Sequence, residues 1–458
     1  MKKTLLRLQK KIILHLRPTT VIVLSFFLLI MAGTLLLLLP ASTRSGQSAT
    51  FVEALFTATS AACVTGLVVV DTWQYWSLFG QIVILSLIQV GAFGIITFTT
   101  FFSSLLGRKM RLRSMILAQE SINTFTLEGV MKLVKRVVLI TLLIEAAGAL
   151  LLSSRFVPQY GLKGFYLGVF HSISSFCDAG FDLMSISGGG QFLSLTQYND
   201  DPVVLYTVSL LIIIGSLGFI VWKDLFDYRK TKALMLHSKL VLSMSAFLIL
   251  SGSLLFFLFE SGNRSSMGGM DLAGRINASI FQAITTRTAG YNSIDLNGIT
   301  DISKLLSILL MFIGAAPGST AGGIKVTTFG ILVFAVISQI KGSDEIIIFR
   351  RRVAYTTVSK ALAIFGLSAA LIFIVSAVIH LIENQQILDI LFEVTSAFGT
   401  VGQTTGLTPD LHLSSKLLLV LMMFLGRVGP VTFALALTIR SHKNTSDLVY
   451  PEGRVIVG

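Results

Sequence analysis

The sequence FTATSAACVTGL at residues 56–67 has three counterparts in the same chain. They are FHSISSFCDAGF at 170–181, IFQAITTRTAGY at 280–291 and FEVTSAFGTVGQ at 392–403. We call these four stretches the signature segments, and they align on four signature glycines: Gly66, Gly180, Gly290 and Gly402. A large apolar residue stands ten positions before each glycine, and the residues between are mostly small or hydroxylic. The glycines lie 114, 110 and 112 residues apart, so the chain repeats one unit of about 110 residues four times.

The composition around these segments excludes a soluble globular protein. Hydrophobic residues make up 53% of the 458 residues, charged residues only 13%, and the mean hydropathy is +0.81; soluble domains are about a quarter charged. The apolar residues fall into runs of about twenty, the length that crosses ~30 Å of hydrocarbon. We predict eight membrane spans at about 18–40, 72–106, 130–154, 202–226, 235–260, 304–340, 355–382 and 413–440.

The net charge of +13 is distributed unevenly along this predicted topology. Of the 36 Lys and Arg residues, 26 fall on one side: 25 within 1–17, 107–136, 223–239, 341–360 and 441–458, and Arg440 at the end of the last span. This asymmetry follows the positive-inside rule and places both termini, 1–17 and 441–458, in the cytoplasm. The opposite side carries most of the acids, which suits a cation arriving from outside. The charge therefore indicates a multi-pass protein of the cytoplasmic (inner) membrane surrounded by lipid, and not a nucleic-acid-binding protein.

Each repeat has the same plan of span, re-entrant half-helix, loop and span. A half-helix is too short to cross, and irregular backbone is tolerated at membrane depth only where it lines water or is buried in protein. The predicted fold is an all-α polytopic membrane protein with eight transmembrane helices and four re-entrant half-helices around one central pore. The four fused repeats are 18–106, 130–226, 235–340 and 355–440.

The third repeat departs from this plan within its second span. Residues 304–313 and 325–340 read as helices, but the glycine-rich loop between them, 314–323, contains four glycines and one proline. Each glycine costs a helix interior about 1 kcal/mol and each proline about 3 kcal/mol. A simple kink at a glycine or proline is the alternative, but a stretch of ten residues with four glycines and one proline is longer than a kink requires. We therefore expect a loop inside the membrane.

The registered signature segments resemble the Trk/Ktr/HKT superfamily of potassium transporters. The resemblance rests on ACVTGL at 62–67, TRTAGYN at 286–292, GTVG at 399–402, the glycine-rich loop and Gly426-Arg427, and it covers essentially residues 18–440. Its length and the absence of extra N-terminal spans make the chain most similar to the KtrB branch of this superfamily. The resemblance implies a potassium-binding selectivity filter at Val64, Thr65, Gly66, Asp178, Ala179, Gly180, Thr288, Ala289, Gly290, Thr400, Val401 and Gly402. It also implies a gate at Gly314, Ala315, Ala316, Pro317, Gly318, Ser319, Thr320, Ala321, Gly322, Gly323 and Arg427.

The chemistry of such a filter explains why glycine is the residue that all four segments share. Rings of backbone carbonyl oxygens replace the hydration shell of a potassium ion. Glycine adopts the dihedral angles that point carbonyls inward, and it lets four backbones approach one axis. Only the glycine is common to all four segments, so we expect weaker discrimination against sodium than in channels with a longer signature. Within the family, glycine instead of serine at Gly66 goes with potassium permeation.

Three charged residues near the predicted pore leave alternatives open. Arg427 either lies at the pore as an electrostatic barrier or pairs with Glu145 or a helix-end carbonyl. Arg287 is expected to point behind the filter towards Asp178 or Glu393, because a cation facing the axis would repel ions. Asp178 could instead attract cations at the mouth of the pore.

The predicted function is potassium uptake driven by the membrane potential, with potassium as transported ion and sodium as an additional activator. A sodium-permeable or cation-coupled symport carrier of the same superfamily is the alternative. Secondary transporters often have inverted repeats, whereas these repeats share one orientation. A membrane enzyme would need convergent acids, His or Cys, and the spans are nearly bare of them. The resemblance further implies a homodimer and a KtrA-like cytosolic ring that binds nucleotide, since the chain has no room for such a domain.

Overall fold

The computed structural model describes residues 18–94, 130–343 and 345–437, and this part of the chain is helical apart from one small hairpin. The hairpin pairs β1 (Ile347–Ile348) with β2 (Arg351–Arg352). The helices are α1 (Pro18–Leu37), α2 (Phe51–Cys63), α3 (Thr72–Tyr75), α4 (Leu78–Phe93), α5 (Val130–Tyr160), α6 (Leu162–Phe176), α7 (Pro202–Ser216), α8 (Phe219–Thr231), α9 (Leu236–Glu260), α10 (Leu272–Thr288), α11 (Asp301–Phe312), α12 (Val326–Ile340), α13 (Tyr355–Glu383), α14 (Ile387–Gly399), α15 (Leu413–Val428) and α16 (Pro430–Leu437). Short 3₁₀ turns occur at Pro40–Ser42, Met184–Ser187, Thr196–Tyr198 and Thr408–Asp410.

The expectation of an apolar, all-helical membrane protein is confirmed in this coarse form. Among the described residues, four helices are long and apolar enough to cross a membrane, namely α1, α5, α9 and α13, and α7 with α8 makes a fifth if that bent pair is one span. Their outer faces expose leucines such as Leu143 and Leu250, as expected of helices that face hydrocarbon. The predicted termini 1–17 and 441–458, the inner loop 107–129 and the end of the second span, 95–106, lie outside the described residues.

The four short helices α2, α6, α10 and α14 end directly before the signature glycines and are largely buried. They contain 13 to 17 residues, or about 20–25 Å at 1.5 Å per residue. Local sequence fixes where α2 begins: Thr50 and Glu53 form a reciprocal capping box at its first turn. The long helices pack around these four, so the signature segments lie in the protein interior.

The second spans differ from the predicted plan, which placed an interruption only in the third repeat. The uninterrupted helices predicted at 202–226 and 413–440 are wrong, because α7 and α8 meet at 93° and α15 ends at Val428. The breaks fall at Gly218 and Gly429, with φ angles of 83° and 89°, and α4 ends in the same way at Gly94, with a φ of 75°. These angles favour glycine.

The broken spans share a Gly-x-x-Gly pattern at 91–94, 215–218 and 426–429. A Cβ atom on Gly91 would overlap the carbonyl of Ala62, one on Gly215 that of Phe176, and one on Gly426 that of Phe398. Each of these carbonyls lies four residues before a signature glycine. The first glycine of each pair therefore lets the second span pack directly on the half-helix of its own repeat, and the second glycine ends the helix there.

Candidate functional site

The four signature glycines form a closed ring. A Cβ atom on Gly66 would overlap the carbonyl of Ala179 in the second segment, and one on Gly180 would overlap Ala289 in the third. The ring continues from Gly290 to Val401 and closes from Gly402 back to Thr65. The backbones of all four segments thus meet around one axis, with no space for a side chain at any of the four glycines.

The backbone at the ring is held in conformations that glycine adopts without strain. The φ angles of Gly66, Gly180, Gly290 and Gly402 are 91°, 67°, 78° and 94°. Two positions earlier, Val64, Asp178 and Thr400 also have positive φ, between 51° and 59°, which is uncommon for residues with a side chain. Such strain persists only where the surroundings enforce it. The ring is therefore a preorganised backbone structure.

Hydroxyl groups on the half-helices enforce this conformation. Ser60 and Ser396, each six positions before its glycine, accept hydrogen bonds from the backbone N–H of Gly66 and Gly402 at 3.0 and 3.1 Å. Ser174, in the same position of the second segment, donates to the Phe181 carbonyl at 2.8 Å. These bonds fix how the chain leaves each half-helix and enters the ring.

The third segment reaches the same arrangement with a shift of one residue. Ile284 stands where the other segments have serine, and the next residue, Thr285, supplies the hydroxyl and donates to the Tyr291 carbonyl at 2.9 Å. Because α10 continues to Thr288, this segment has no left-handed residue two positions before Gly290. The ring is thus four-fold in its glycines but not in its side chains.

A cavity of about 750 Å³ opens on one side of the ring. All four signature glycines line it, together with the acids Asp182, Asp295 and Asp410. Asp182 and Asp410 belong to the acids that the charge pattern placed on the outer side. The cavity joins the ring to an acidic surface, which raises the local concentration of cations.

The glycine-rich loop lies against the ring from the other direction. The structure places 313–325 outside any helix, between α11 and α12. The N–H of Gly322 donates to the Thr400 hydroxyl at 2.9 Å, and the Thr320 hydroxyl donates to the Asp178 carboxylate at 2.6 Å. The loop thereby contacts the signature segments of the second and fourth repeats.

Backbone hydrogen bonds tie the loop to the broken second spans. Ala316 donates to the Ser216 carbonyl at 3.1 Å, and Phe219 donates to the Gly318 carbonyl at 3.0 Å. Gly323 donates to the Gly426 carbonyl at 3.3 Å. A cavity of about 390 Å³ lies beside the loop and is lined by Pro317–Ser319, Lys325 and Arg427 among others. The helix breaks therefore supply the free backbone groups that hold the loop.

Arg427 binds helix-end carbonyls, one of the alternatives that the sequence left open, and does not pair with Glu145. Its guanidinium donates to the carbonyls of Thr320 in the loop and of Gly91 and Ala92 at the end of α4. Glu145 instead accepts from the Gln89 amide at 3.0 Å. Arg427 thus links the first repeat to the glycine-rich loop.

The expected partners of Arg287 and Asp178 are wrong in part. Arg287 does turn away from the ring, but it donates to the Ser245 hydroxyl on α9 at 3.3 Å and not to an acid. The Asp178 carboxylate faces Thr320 in the glycine-rich loop. That contact places the Asp178 carboxylate on the side of the ring that faces the loop. The cavity lined by Asp182, Asp295 and Asp410 opens on the other side.

Sequence reasoning missed two features of the site. The Gly-x-x-Gly pairs begin 25, 35 and 24 residues after the signature glycines of their repeats, so an alignment that allows for the longer loop of the second repeat could have found them. The second is the role of Glu393, which the sequence named only as a possible partner of Arg287. Buried on α14, it accepts from Thr404, Thr405 and Thr408 at 2.5–2.9 Å. Thr404 lines the 750 Å³ cavity, so Glu393 shapes its rim through the loop that follows Gly402.

Comparisons with known proteins identify relatives along nearly the whole chain. The family model TrkH, described as cation transport protein, matches residues 3–447. The Ktr system potassium uptake protein B of Bacillus subtilis is 41% identical over 442 residues, 96% of this chain and 97% of that protein. The potassium/sodium uptake protein NtpJ of Enterococcus hirae is 38% identical over 456 residues, 98% and 99% of the two chains. The crystal structure of the potassium transporter TrkH from Vibrio parahaemolyticus has a TM-score of 0.71 at 19% identity, and the match covers 92% of this chain and 84% of that one; this likeness shows the fold.

Proposed function

Because the chain belongs to the TrkH family of cation transport proteins, we propose that it takes up potassium through a pore whose selectivity filter is the glycine ring. The observation that carries the proposal is the closure of that ring from four segments, with an acidic cavity on one side and a loop on the other. In this proposal the four repeats surround one pore, with the half-helices re-entrant.

The filter works by exchanging water for backbone oxygens. An ion in the acidic outer cavity loses its hydration shell to carbonyls of the segments that meet at the ring. The half-helices α2, α6, α10 and α14 end at the filter, so their partially negative C-terminal ends favour a cation there. The serine and threonine hydroxyls hold the carbonyl positions, which keeps the binding site from collapsing around a smaller ion.

The glycine-rich loop is the proposed gate. It lies against the filter on the inner side, and Arg427 holds it through the Thr320 carbonyl. Ions driven inward need no other energy source, because the membrane potential supplies about 2.3 kcal/mol per charge per 100 mV. The loop must move for an ion to pass, so its position decides whether that driving force produces a flux.

Regulation and assembly follow from the membrane-subunit character of the Ktr relative. We propose a homodimer in the cytoplasmic membrane, with both termini inside, that binds a separate cytosolic ring of nucleotide-binding domains. Nucleotide acts only through that ring. The exposed basic hairpin at Arg350–Arg352 joins α12, which leads directly from the gate, to α13, and it offers a route from the ring to the loop.

A second candidate function is sodium permeation or sodium-coupled uptake. The name of the Enterococcus hirae relative includes sodium as well as potassium, and only one residue is common to all four filter segments. A third possibility is that sodium activates the uptake of potassium.

Flux measurements in liposomes test the proposal and separate these candidates. Purified protein is reconstituted, and rubidium uptake is measured under an imposed membrane potential, with and without a sodium gradient. Uptake that follows the potential alone supports a potassium pore. Uptake that requires or follows the sodium gradient favours the coupled carrier, and absence of rubidium flux under all conditions contradicts the proposal.

A further inference from the structure

Asp178 is the one acid among the filter residues, and it lies where three parts of the pore meet. Its carboxylate is fully buried and accepts from the Thr320 hydroxyl at 2.6 Å. The hydroxyls of Ser216, at the end of α7, and of Thr288, in the third segment, lie 3.2 and 3.3 Å from it. Filter, broken span and glycine-rich loop thus converge on one carboxylate.

Thr320 is held from two sides. Its hydroxyl donates to Asp178, and its carbonyl accepts from Arg427. It is the one residue of the glycine-rich loop whose side chain hydrogen-bonds a signature segment in the described part of the chain. The neighbouring Ser319 hydroxyl is buried there without a hydrogen-bond partner. Among the side chains of the loop, the contact with the second filter segment therefore depends on Thr320, while the backbone of Gly322 contacts the fourth segment.

We propose that the Asp178–Thr320 hydrogen bond is a latch that holds the glycine-rich loop closed against the second filter segment. The latch rests on the proposed function, since it specifies how that gate is held. The Thr320 hydroxyl lies 2.6 Å from the Asp178 carboxyl group, and burial keeps water from replacing this hydrogen bond. Asp178 is also a filter residue. Opening of the loop therefore takes the Thr320 hydroxyl, its closest hydrogen-bond donor, away from the filter. Gate and filter are therefore coupled.

The latch predicts that Thr320→Val raises potassium flux without the cytosolic partner. Valine keeps the branched shape and removes only the hydroxyl. In liposomes that contain the full chain alone, we expect rubidium flux to rise about tenfold, equivalent to about 1.4 kcal/mol. Thr320→Ser restores the donor and should return the flux to the wild-type level. Thr141→Val, the matched control, makes the same change at a buried α5 threonine whose hydroxyl has no hydrogen-bond partner in the described part of the chain, and it should leave the flux unchanged.

Asp178→Asn tests the latch from its other side. Asparagine tolerates the left-handed backbone at this position and keeps one acceptor oxygen, while an amide nitrogen replaces the other. Because the remaining oxygen can still accept from Thr320, we expect a smaller rise in flux than for Thr320→Val. If one of the two variants fails to fold, the other still tests the latch. The double variant Thr320→Val/Asp178→Asn should match Thr320→Val alone, because both changes weaken the same bond.

Deletion of residues 316–322 separates failure of the latch from failure of the gate. If the deletion raises flux while Thr320→Val and Asp178→Asn do not, the loop is the gate and the latch is wrong. Independent, additive rises in the double variant, or a Thr320→Ser variant as active as Thr320→Val, would also overturn the latch. If the deletion leaves flux unchanged, the proposed gate itself fails.

Discussion

At the scale of single residues, the signature glycines meet two demands at once. Each has a positive φ, and each touches the backbone of the next segment in the ring. Either demand alone favours glycine, but only the second connects the four repeats. Substitution at the ring and at an ordinary glycine turn should therefore have different consequences.

We predict that Gly66→Ser lowers the preference for potassium over sodium. The new side chain would overlap Ala179 and strain a backbone with a φ of 91°. Displacement of one quarter of the filter should reduce the ratio of potassium to sodium uptake about tenfold, or about 1.4 kcal/mol. Parallel rubidium and sodium tracer uptake in liposomes measures this ratio.

Gly46→Ser is the matched control for this prediction. Gly46 has a φ of 72°, but a Cβ atom there meets nothing within 4 Å. The control shares the backbone strain and lacks the contact, so its uptake ratio should equal that of the wild type. An unchanged ratio in Gly66→Ser would remove Gly66 from the filter.

The Gly-x-x-Gly pairs give a stability prediction. In Gly426→Ala the added methyl would meet the Phe398 carbonyl, and overpacking of this kind costs about 1–3 kcal/mol. Gly366 lies in α13 with open space around it, so Gly366→Ala should be neutral or should stabilise through helix propensity. Thermal unfolding in detergent should show a lower Tm for Gly426→Ala only. Equal Tm values would mean that α15 does not pack tightly on α14.

At the scale of elements, the glycine-rich loop is largely buried, but its apolar side chains are small: Ala315, Ala316 and Ala321 are its buried hydrophobic members. Its ties are hydrogen bonds to the second and fourth signature segments, to the ends of α7 and α15, and to Arg427. Segments with few apolar contacts open at low free-energy cost. Closed and open positions of the loop therefore need to differ by only a few kcal/mol, an interval that a partner protein can bias.

We predict that removal of residues 316–322 raises potassium flux and makes it largely independent of the partner. The deletion removes Thr320, and with it the attachment points of Asp178 and Arg427, while α11 and α12 remain. Rubidium uptake with and without the cytosolic ring measures the effect. Intact insertion, checked by a single symmetric elution peak, is the required control. A well-folded deletion with low, partner-dependent flux would place the gate elsewhere, with Arg427 the next candidate.

At the scale of the whole molecule, the charge asymmetry predicts where the regulatory ring docks. Arg350 and Arg351 are exposed on the hairpin beyond α12, on the side that the charge pattern predicts to be cytoplasmic. The double variant Arg350→Glu/Arg351→Glu should weaken co-elution with the ring, whereas Lys163→Glu, exposed on the predicted outer side, should not. Binding should also fall at 1 M salt, where the screening length is about 3 Å. Docking that is insensitive to charge reversal and to salt would exclude an electrostatic interface.

The sequence alone determined the features that depend on local backbone and on partition into lipid. Apolar runs of about twenty residues specify membrane helices, because the thickness of the hydrocarbon sets their length. The four signature glycines and the ten-residue cluster of glycine, proline and small residues in 314–323 specify where helices cannot continue, because glycine and proline act through the backbone of their own position. Self-similarity in the sequence was sufficient to number the signature segments and to find their glycines.

Only the tertiary structure decided which groups meet. Gly215 and Gly426 pack on carbonyls of the half-helices, and Gly218 contacts the glycine-rich loop. A lone glycine in an apolar run carries no sign of such contacts. Arg427 and Asp178 each had several chemically acceptable partners, and the choice of loop carbonyl and Thr320 follows from the approach of segments more than 100 residues apart. Buried polar groups in lipid must find partners somewhere, so the sequence requires such bonds, and the packing of the four repeats selects them.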